Sequence, residues 1–374
     1  HVHKLPSTPD DPGRAVLAGV AAVRTHADEA VDVVHGTTVG LNALLTGDVA
    51  RTAFVTNAGF EDLIEIGRQE RDDLYALSPT RTMPPVPREL RIGVDCRRGP
   101  GGEVVTALRS AEIERAVRAV RRLRPAAIAI GFLHSPSDVA DERRVARALR
   151  AALPDVPITC SADLLPASGE YERFCAAILN AAIAPVVGGY TNKLSAGVGR
   201  GRLRLLRSSL GILPTDEATD FPARAMFSGP AGGVLATMQL AQRFGLPRAA
   251  AFDMGGTSAD LCLVDANGTV ADTSTIGGLP LALPSVPVHT VGCGGGSIAY
   301  VDAGGATPSA TKSSPRSPPP SLMWVRVRMC APWCWPPRAR PSARAPTSTG
   351  CAAWPTTRAP RTSQTRASWP RCCA

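Results

Sequence analysis

Two aspartates, separated by a bend of small residues, form the most chemically specific stretch of the sequence. Asp253 and Asp260 lie on either side of this bend, and apolar residues flank the pair. Glycine lets a backbone curl so that its amide N–H groups point outward, and neighbouring hydroxyl side chains add further donors. The bend therefore predicts a phosphate cradle, and the carboxylates predict a magnesium ion held through its water. The predicted phosphate-binding residues are Gly255, Gly256, Thr257 and Ser258.

A second glycine-rich bend follows later in the chain, again between two apolar strands. Its predicted phosphate-contacting residues are Gly294, Gly295, Gly296 and Ser297. For either bend alone, an ordinary β-hairpin whose glycines serve only the turn is the alternative. Two such bends close together in the sequence favour a shared phosphate site.

The elements that must position these bends alternate between strand and helix patterns. Ala126–Leu133 is a continuous apolar run of the kind buried on both faces, and helical patterns flank it at Ser110–Arg124 and Asp138–Ala152. This alternation predicts a mostly parallel α/β sheet. The longest helical pattern, Ser168–Ala184, is predicted to be interrupted or kinked at Pro185.

Several polar residues near predicted bends are candidates for holding a small ligand, and each has a structural alternative. The run His35–Thr38 joins a strand to a helix, where it could bind a ligand or form a capped turn with a satisfied histidine. Asn180 is a ligand contact or a hydrogen-bonded core amide. Arg68 binds an acidic group or belongs to a solvated charge run. Ser228–Gly233 opens a helix that could approach either a nucleotide or another helix.

The net charge of +9 comes from the end of the chain. Gly304–Ala374 has no acidic residue and eleven Lys or Arg, whereas residues 1–303 carry 30 basic and 32 acidic side chains, a net charge of −2. The charge is therefore no evidence that the globular part binds nucleic acid. A length of 374 residues with 44% hydrophobic content predicts about two globular domains. We find no run of about 18 apolar residues that would predict a transmembrane helix.

The basic tail, residues 306–374, has three interpretations. It could bind nucleic acid through its five tryptophans and its arginines. It could bind a metal through Cys330 and Cys334, although no second pair or histidine has matching spacing. We favour the third interpretation, that the tail is translated from GC-rich DNA in a shifted reading frame. A composition rich in Arg, Pro, Ser, Trp and Cys and without acidic residues is typical of such a translation product. This composition predicts disorder.

Six motifs occur in the order seen in the hydantoinase A / 5-oxoprolinase family, which the chain resembles from about residue 1 to 305. They are His35–Thr38, Glu65–Gln69, Glu170–Arg173, Ser228–Gly233, Asp253–Asp260 and His289–Ala299. The resemblance implies an actin-like ATPase (ribonuclease H-like) α/β fold that uses ATP and Mg2+. It also implies ATP-driven opening of five-membered cyclic amides, a hydantoinase B-type partner subunit and a cytoplasmic location. Because the acetone carboxylase β subunit belongs to the same family, carboxylation is an alternative activity.

The resemblance also assigns roles to residues of this sequence. Asp253 and Asp260 would be catalytic and would serve the metal through water, while phosphorylation of the amide carbonyl oxygen would prepare it for attack by water. The candidate substrate residues are His35, Thr37, Thr38, Arg68, Asn180 and His289. The implied divisions are an N-terminal-type α/β region over residues 1–165, an ATPase core over 166–305 and the tail over 306–374.

Three departures from the family pattern bear on activity. Family members carry an earlier Asp-x-Gly-Gly-Thr loop upstream of the segment that resembles Lys4–Thr8, and this sequence does not show it. The family's Gln-Ser-Asn-Gly stretch appears only as Arg207–Gly211, and the tail replaces the expected continuation. We therefore expect an incomplete chain with weak or no ATPase activity. A non-catalytic protein that binds a partner is a second hypothesis, and a nucleic-acid binder is the least favoured.

Overall fold

The computed structural model describes most of the chain up to residue 311. The described residues are 3, 5, 8, 11–24, 26, 30–70, 75, 77, 83–199, 201–254, 259–265, 270–291, 298–300 and 309–311. They lie within one compact unit, His1–Met323. Almost all of the basic tail lies outside them, so its interpretation stays a prediction.

Helices and strands alternate between residues 110 and 164, as the sequence predicts, whereas the described residues from 248 onward form strands and no helix. The helices are α1 (Pro12–Val23), α2 (Val39–Thr46), α3 (Leu63–Ile66), α4 (Ser110–Leu123), α5 (Ala140–Ala152), α6 (Ser161–Leu164), α7 (Glu170–Val198), α8 (Thr215–Asp220) and α9 (Ser228–Arg243). The strands are β1 (Val33–His35), β2 (Thr52–Asn57), β3 (Arg91–Val94), β4 (Arg97–Arg98), β5 (Val104–Thr106), β6 (Ala127–Gly131), β7 (Ile158–Cys160), β8 (Leu203–Leu206), β9 (Ile212–Pro214), β10 (Arg248–Met254), β11 (Ala259–Asp265), β12 (Ser274–Ile276), β13 (Leu279–Leu281), β14 (His289–Val291), β15 (Ile298–Tyr300) and β16 (Ser309–Thr311).

The predicted parallel sheet is present, with strand order β3-β2-β6-β7 and every neighbouring pair parallel. Successive residues of β6 face opposite layers. Ile128 packs with α4 and α5, whereas Ala129 packs with α7, where Phe174 and Ile178 contribute to the core. Strand β6 is therefore buried over its whole length, which explains its continuous apolar sequence.

Helix α7 runs without a break through Pro185, so the predicted interruption there is wrong, while the alternative of a kink stays a prediction. Proline removes one backbone donor from a helix, but Pro185 is exposed while Ala184 and Val187 beside it are buried. Packing along the helix thus outweighs the local defect. By length and composition α7 could span a membrane, yet 83% of its most apolar window is buried inside the protein, as in a core helix.

A second sheet is antiparallel, with strand order β10-β11-β14. Its inner face buries Cys262 and Val264 against α9, whose Val234 belongs to the same apolar cluster. The opposite face presents exposed Phe252 and Leu263. The orientation of every side chain on this hairpin follows from that alternation.

Candidate functional site

The two predicted carboxylates face each other across the antiparallel hairpin of β10 and β11. Asp253 is the direct register partner of Asp260, one pair before the last pair at the turn. Directly opposite residues share a face of the sheet, with Cβ atoms about 4.5–5.5 Å apart. Asp253 is exposed and Asp260 is half-buried. The hairpin thus brings two acidic groups together beside its turn, on the face that carries Cys262 further along.

Both predicted phosphate bends lie outside the described residues. The positions concerned are Gly255, Gly256, Thr257, Ser258, Gly294, Gly295, Gly296 and Ser297. The strands that lead into and out of the first bend are described, and they confirm the predicted strand–turn–strand arrangement. Phosphate binding by the two bends stays a prediction.

The loop His35–Thr38 packs against the first turn of α9. The backbone N–H of Thr37 donates to Ser228 Oγ at 2.9 Å, and the same hydroxyl donates to the carbonyl of Thr37 at 2.9 Å. The N–H of Gly229 also reaches that carbonyl, at 3.3 Å. The small residues that open α9 therefore allow it to approach this loop closely.

His35 belongs to a hydrogen-bonded group that local sequence does not reveal. Its Nε2 lies 2.7 Å from the phenolic oxygen of Tyr190 in α7. Burial lowers the pKa of His35 and raises the pKa of Tyr190, so both groups are neutral near pH 7. A neutral imidazole can accept or donate a proton, which is chemistry that a ring-opening reaction needs.

The lowered pKa of His35 predicts a pH-dependent stability. The unfolded chain protonates this imidazole near its ordinary pKa of 6.5, whereas the folded protein protonates it only at lower pH. The unfolded state therefore binds more protons below pH 6.5, and the free energy of unfolding should decrease as the pH falls through that value. Urea unfolding between pH 8 and pH 5 should show this decrease in the wild type and a weaker one in His35→Gln. His289→Gln, which replaces an exposed imidazole, should keep the wild-type slope; equal slopes in all three proteins would contradict the assignment.

Three further candidate substrate residues lie apart from this loop. Arg68 is exposed and its Nε lies 2.6 Å from Glu172 Oε1. The buried amide nitrogen of Asn180 donates to Thr159 Oγ1 at 2.9 Å and to a carbonyl of α8 at 3.0 Å, as in a core amide. His289 is the register partner of Leu261, so it faces away from the carboxylate pair. Their substrate roles stay predictions.

Three residues of these sites were missed by the sequence analysis. Tyr190 lies 155 positions from His35, and nothing in its neighbourhood marks it out. Ser228 was seen only as part of a small-residue run. Thr290 donates its hydroxyl to Asp260 Oδ1 at 2.7 Å, and the strand alternation next to His289 could have indicated that it shares a face with the carboxylates.

Comparison with known proteins places the chain in a family. Residues 1–153 match the hydantoinase/oxoprolinase N-terminal region, and residues 173–333 match the hydantoinase/oxoprolinase domain. The caprolactamase alpha subunit of Pseudomonas jessenii is 32% identical over 334 residues, which cover 85% of this chain and 48% of that protein. The 5-oxoprolinase of Saccharomyces cerevisiae is 26% identical and is matched over 70% of this chain and 23% of its own length.

A solved structure supports the same relationship. The nucleotide-free structure of acetone carboxylase, from work on ATP-dependent acetone carboxylation, superposes with a TM-score of 0.71 at 27% identity, covering 83% of this chain and 47% of that one. The chain therefore spans about half the length of the caprolactamase subunit and of the acetone carboxylase chain. These likenesses confirm the predicted α/β fold of the actin-like ATPase type. The chain belongs to the hydantoinase/oxoprolinase family.

Proposed function

We propose that this chain is a subunit of an ATP-dependent hydrolase that opens small cyclic amides of the hydantoin or 5-oxoproline type. The observation that carries the proposal is the direct pairing of Asp253 with Asp260 beside the hairpin turn. Relatives that are named as a caprolactamase subunit and a 5-oxoprolinase support the substrate class. Other relatives are named as subunits too, which supports a partner subunit, and we propose that this partner is of hydantoinase B type. We also propose a cytoplasmic location, as the family resemblance implies.

The residues present fit a magnesium ion. Mg2+ is usually held by one or two carboxylates together with waters and phosphate oxygens, and it prefers octahedral oxygen coordination. Asp253 and Asp260 supply two carboxylates on one face of the sheet. Within the described residues, no group of three or more His, Cys, Asp or Glu side chains comes together. This donor set thus suits a metal that is bound by the two carboxylates together with nucleotide phosphates.

The roles that we propose for this chain's own residues follow from their chemistry. When bound, Mg–ATP would supply the phosphoryl group that makes an unreactive amide carbonyl open to water. Asp253 and Asp260 would hold the metal's water shell in a fixed position. His35, kept neutral by burial and held by Tyr190, is the proposed proton carrier on the substrate side, with Thr37 and Thr38 as neighbouring polar contacts. Arg68, Asn180 and His289 take no step in this proposal.

Nucleotide binding tests the proposal more directly than turnover. Calorimetric titration with ADP and Mg2+ should show saturable binding by the wild type. Asp253→Asn should weaken that binding at least about tenfold, since one of two metal-directed charges is lost. Asp265→Asn is the matched control because it lies in the same hairpin, opposite Arg248 at the far end, and it should bind as the wild type does. Equal affinity in Asp253→Asn and the wild type would exclude the proposed site.

Carboxylation of a ketone is the second candidate activity, favoured by the structural likeness to acetone carboxylase. The two reactions differ in their substrates. Any phosphate that the assembled complex with its partner subunit releases from ATP should depend on a cyclic amide under the first hypothesis. Under the second hypothesis, that release should depend on a ketone and bicarbonate.

A further inference from the structure

A third side chain continues the row formed by the two carboxylates. Asp260 of β11 pairs with Asp253 on one side and with Thr290 of β14 on the other. The three side chains therefore lie side by side on one face of the sheet. The Thr290 hydroxyl donates to Asp260 Oδ1 at 2.7 Å. This is the short distance expected when a hydroxyl donates to a charged carboxylate.

We infer that Thr290 is a positioning residue that orients Asp260 toward a divalent cation bound with a nucleotide. The inference rests on the proposed function. A hydroxyl has one proton to donate, so the bond occupies one lone pair of Oδ1 and leaves Oδ2 free to receive a metal-bound water. Groups that hydrogen-bond a metal-directed carboxylate fix its orientation and commonly change metal affinity by about 10–100-fold.

The residue type suits this role. Threonine is branched at Cβ, which restricts its χ1 angle and so fixes the direction in which the hydroxyl points. Branched residues also suit a strand, so the ladder between β11 and β14 does not depend on the hydroxyl. Thr290 itself is exposed, and one hydrogen bond there adds little to folding stability. A purely structural purpose therefore explains the bond poorly.

The contrast with the next residue supports the assignment. His289 pairs with Leu261 and faces the opposite side of the sheet. A slip of one position in the register would turn Thr290 away from Asp260. Within the three-strand row, Thr290 is thus the hydroxyl that the register directs at the carboxylate pair.

Magnesium dependence of nucleotide binding tests the inference. With ADP fixed and Mg2+ varied, Thr290→Val should raise the Mg2+ concentration for half-maximal binding about tenfold. Thr290→Ser, which keeps the hydroxyl, should restore the wild-type value to within about threefold. Affinity for ADP measured in EDTA should not change in either variant. Thr275→Val, which alters an exposed strand threonine of β12, is the matched control and should behave as the wild type does.

Three results would overturn the inference. The first is an unchanged Mg2+ requirement in Thr290→Val while Asp253→Asn still loses binding, which would leave the proposed function standing. The second is an equal loss of ADP affinity in Mg2+ and in EDTA, which would indicate general damage to the hairpin. The third is a wild type without any Mg2+-dependent binding, which would remove the proposed function together with this inference.

Discussion

Replacing Arg173 with methionine is expected to lower the free energy of unfolding by about 3–5 kcal/mol. The guanidinium is fully buried at the start of α7. Its Nη1 donates to the hydroxyls of Ser135 and Ser161, and its Nη2 donates to the carbonyl of Phe132 at 2.9 Å. Nη1 also lies 3.5 Å from the carboxylate of Glu142, which is equally buried.

The expected loss of stability is large because the substitution leaves Glu142 buried without its charged partner. Glu142 accepts hydrogen bonds from the backbone of Phe132 at 2.9 Å and of Ala162 at 3.1 Å, so it stays in place without its partner. A buried carboxylate that loses the cation paired with it retains the full cost of its desolvation. The loop that follows β6 and the start of α6 would then lose their common anchor to α7.

Urea unfolding of three variants separates this explanation from a simple loss of packing. Arg143→Met is the matched control because its ion pair with Asp163 is exposed, and it should change stability by less than about 1 kcal/mol. Adding Glu142→Gln to Arg173→Met should recover part of the loss, because it removes the unpaired charge. If the double variant is no more stable than Arg173→Met alone, the charge is not the cause.

The sequence predicted the parts of the molecule whose signals are local. The continuous apolar run Ala126–Leu133 and the alternation of strand and helix patterns predicted the parallel sheet, and the Asp253–Asp260 stretch predicted the hairpin. The register of that hairpin comes from the structure. Arg173 was recognised only as part of a motif, because a charged residue in a helix gives no local sign that it will be buried. Tyr190 was missed for a related reason, since its partner His35 comes from a strand far away in the chain. Contacts between distant segments depend on the tertiary fold, and one sequence does not display them.

Pro185 shows the opposite error. A local rule predicted an interruption or a kink in α7, and the continuous helix excludes the interruption. The local cost of a proline in a helix competes with the stability gained when the helix packs in the core. Here the burial of residues on both sides of the proline outweighs that cost. The same competition explains why Asn180, a polar residue inside an apolar stretch, is accommodated: three hydrogen bonds to Thr159, Asp220 and Ala223 satisfy it in the core.

Gly36→Ala is expected to cost about 2–3 kcal/mol of folding stability, because the loop before α2 touches α9 with no space for a side chain. A Cβ atom built on Gly36 would lie 2.8 Å from the carbonyl oxygen of Ser228 and 3.3 Å from Cα of Gly229. Both are backbone atoms, so they cannot move aside as a flexible side chain could. Accommodation would require the loop and the helix to separate, which would break the bonds between Thr37 and Ser228.

Gly233→Ala is the control for this prediction. Gly233 lies in α9 with nothing within 4 Å of its built Cβ, so alanine there should raise the free energy of unfolding by up to about 1 kcal/mol through helix propensity. Urea unfolding gives both values. Gly36→Ala should also reduce the pH dependence of stability assigned to His35. A displaced loop would move the buried imidazole of His35 away from Tyr190 and toward solvent. If the free energy of unfolding of Gly36→Ala lies within about 0.5 kcal/mol of the wild-type value and its pH slope is unchanged, the close contact is not what holds the loop on α9.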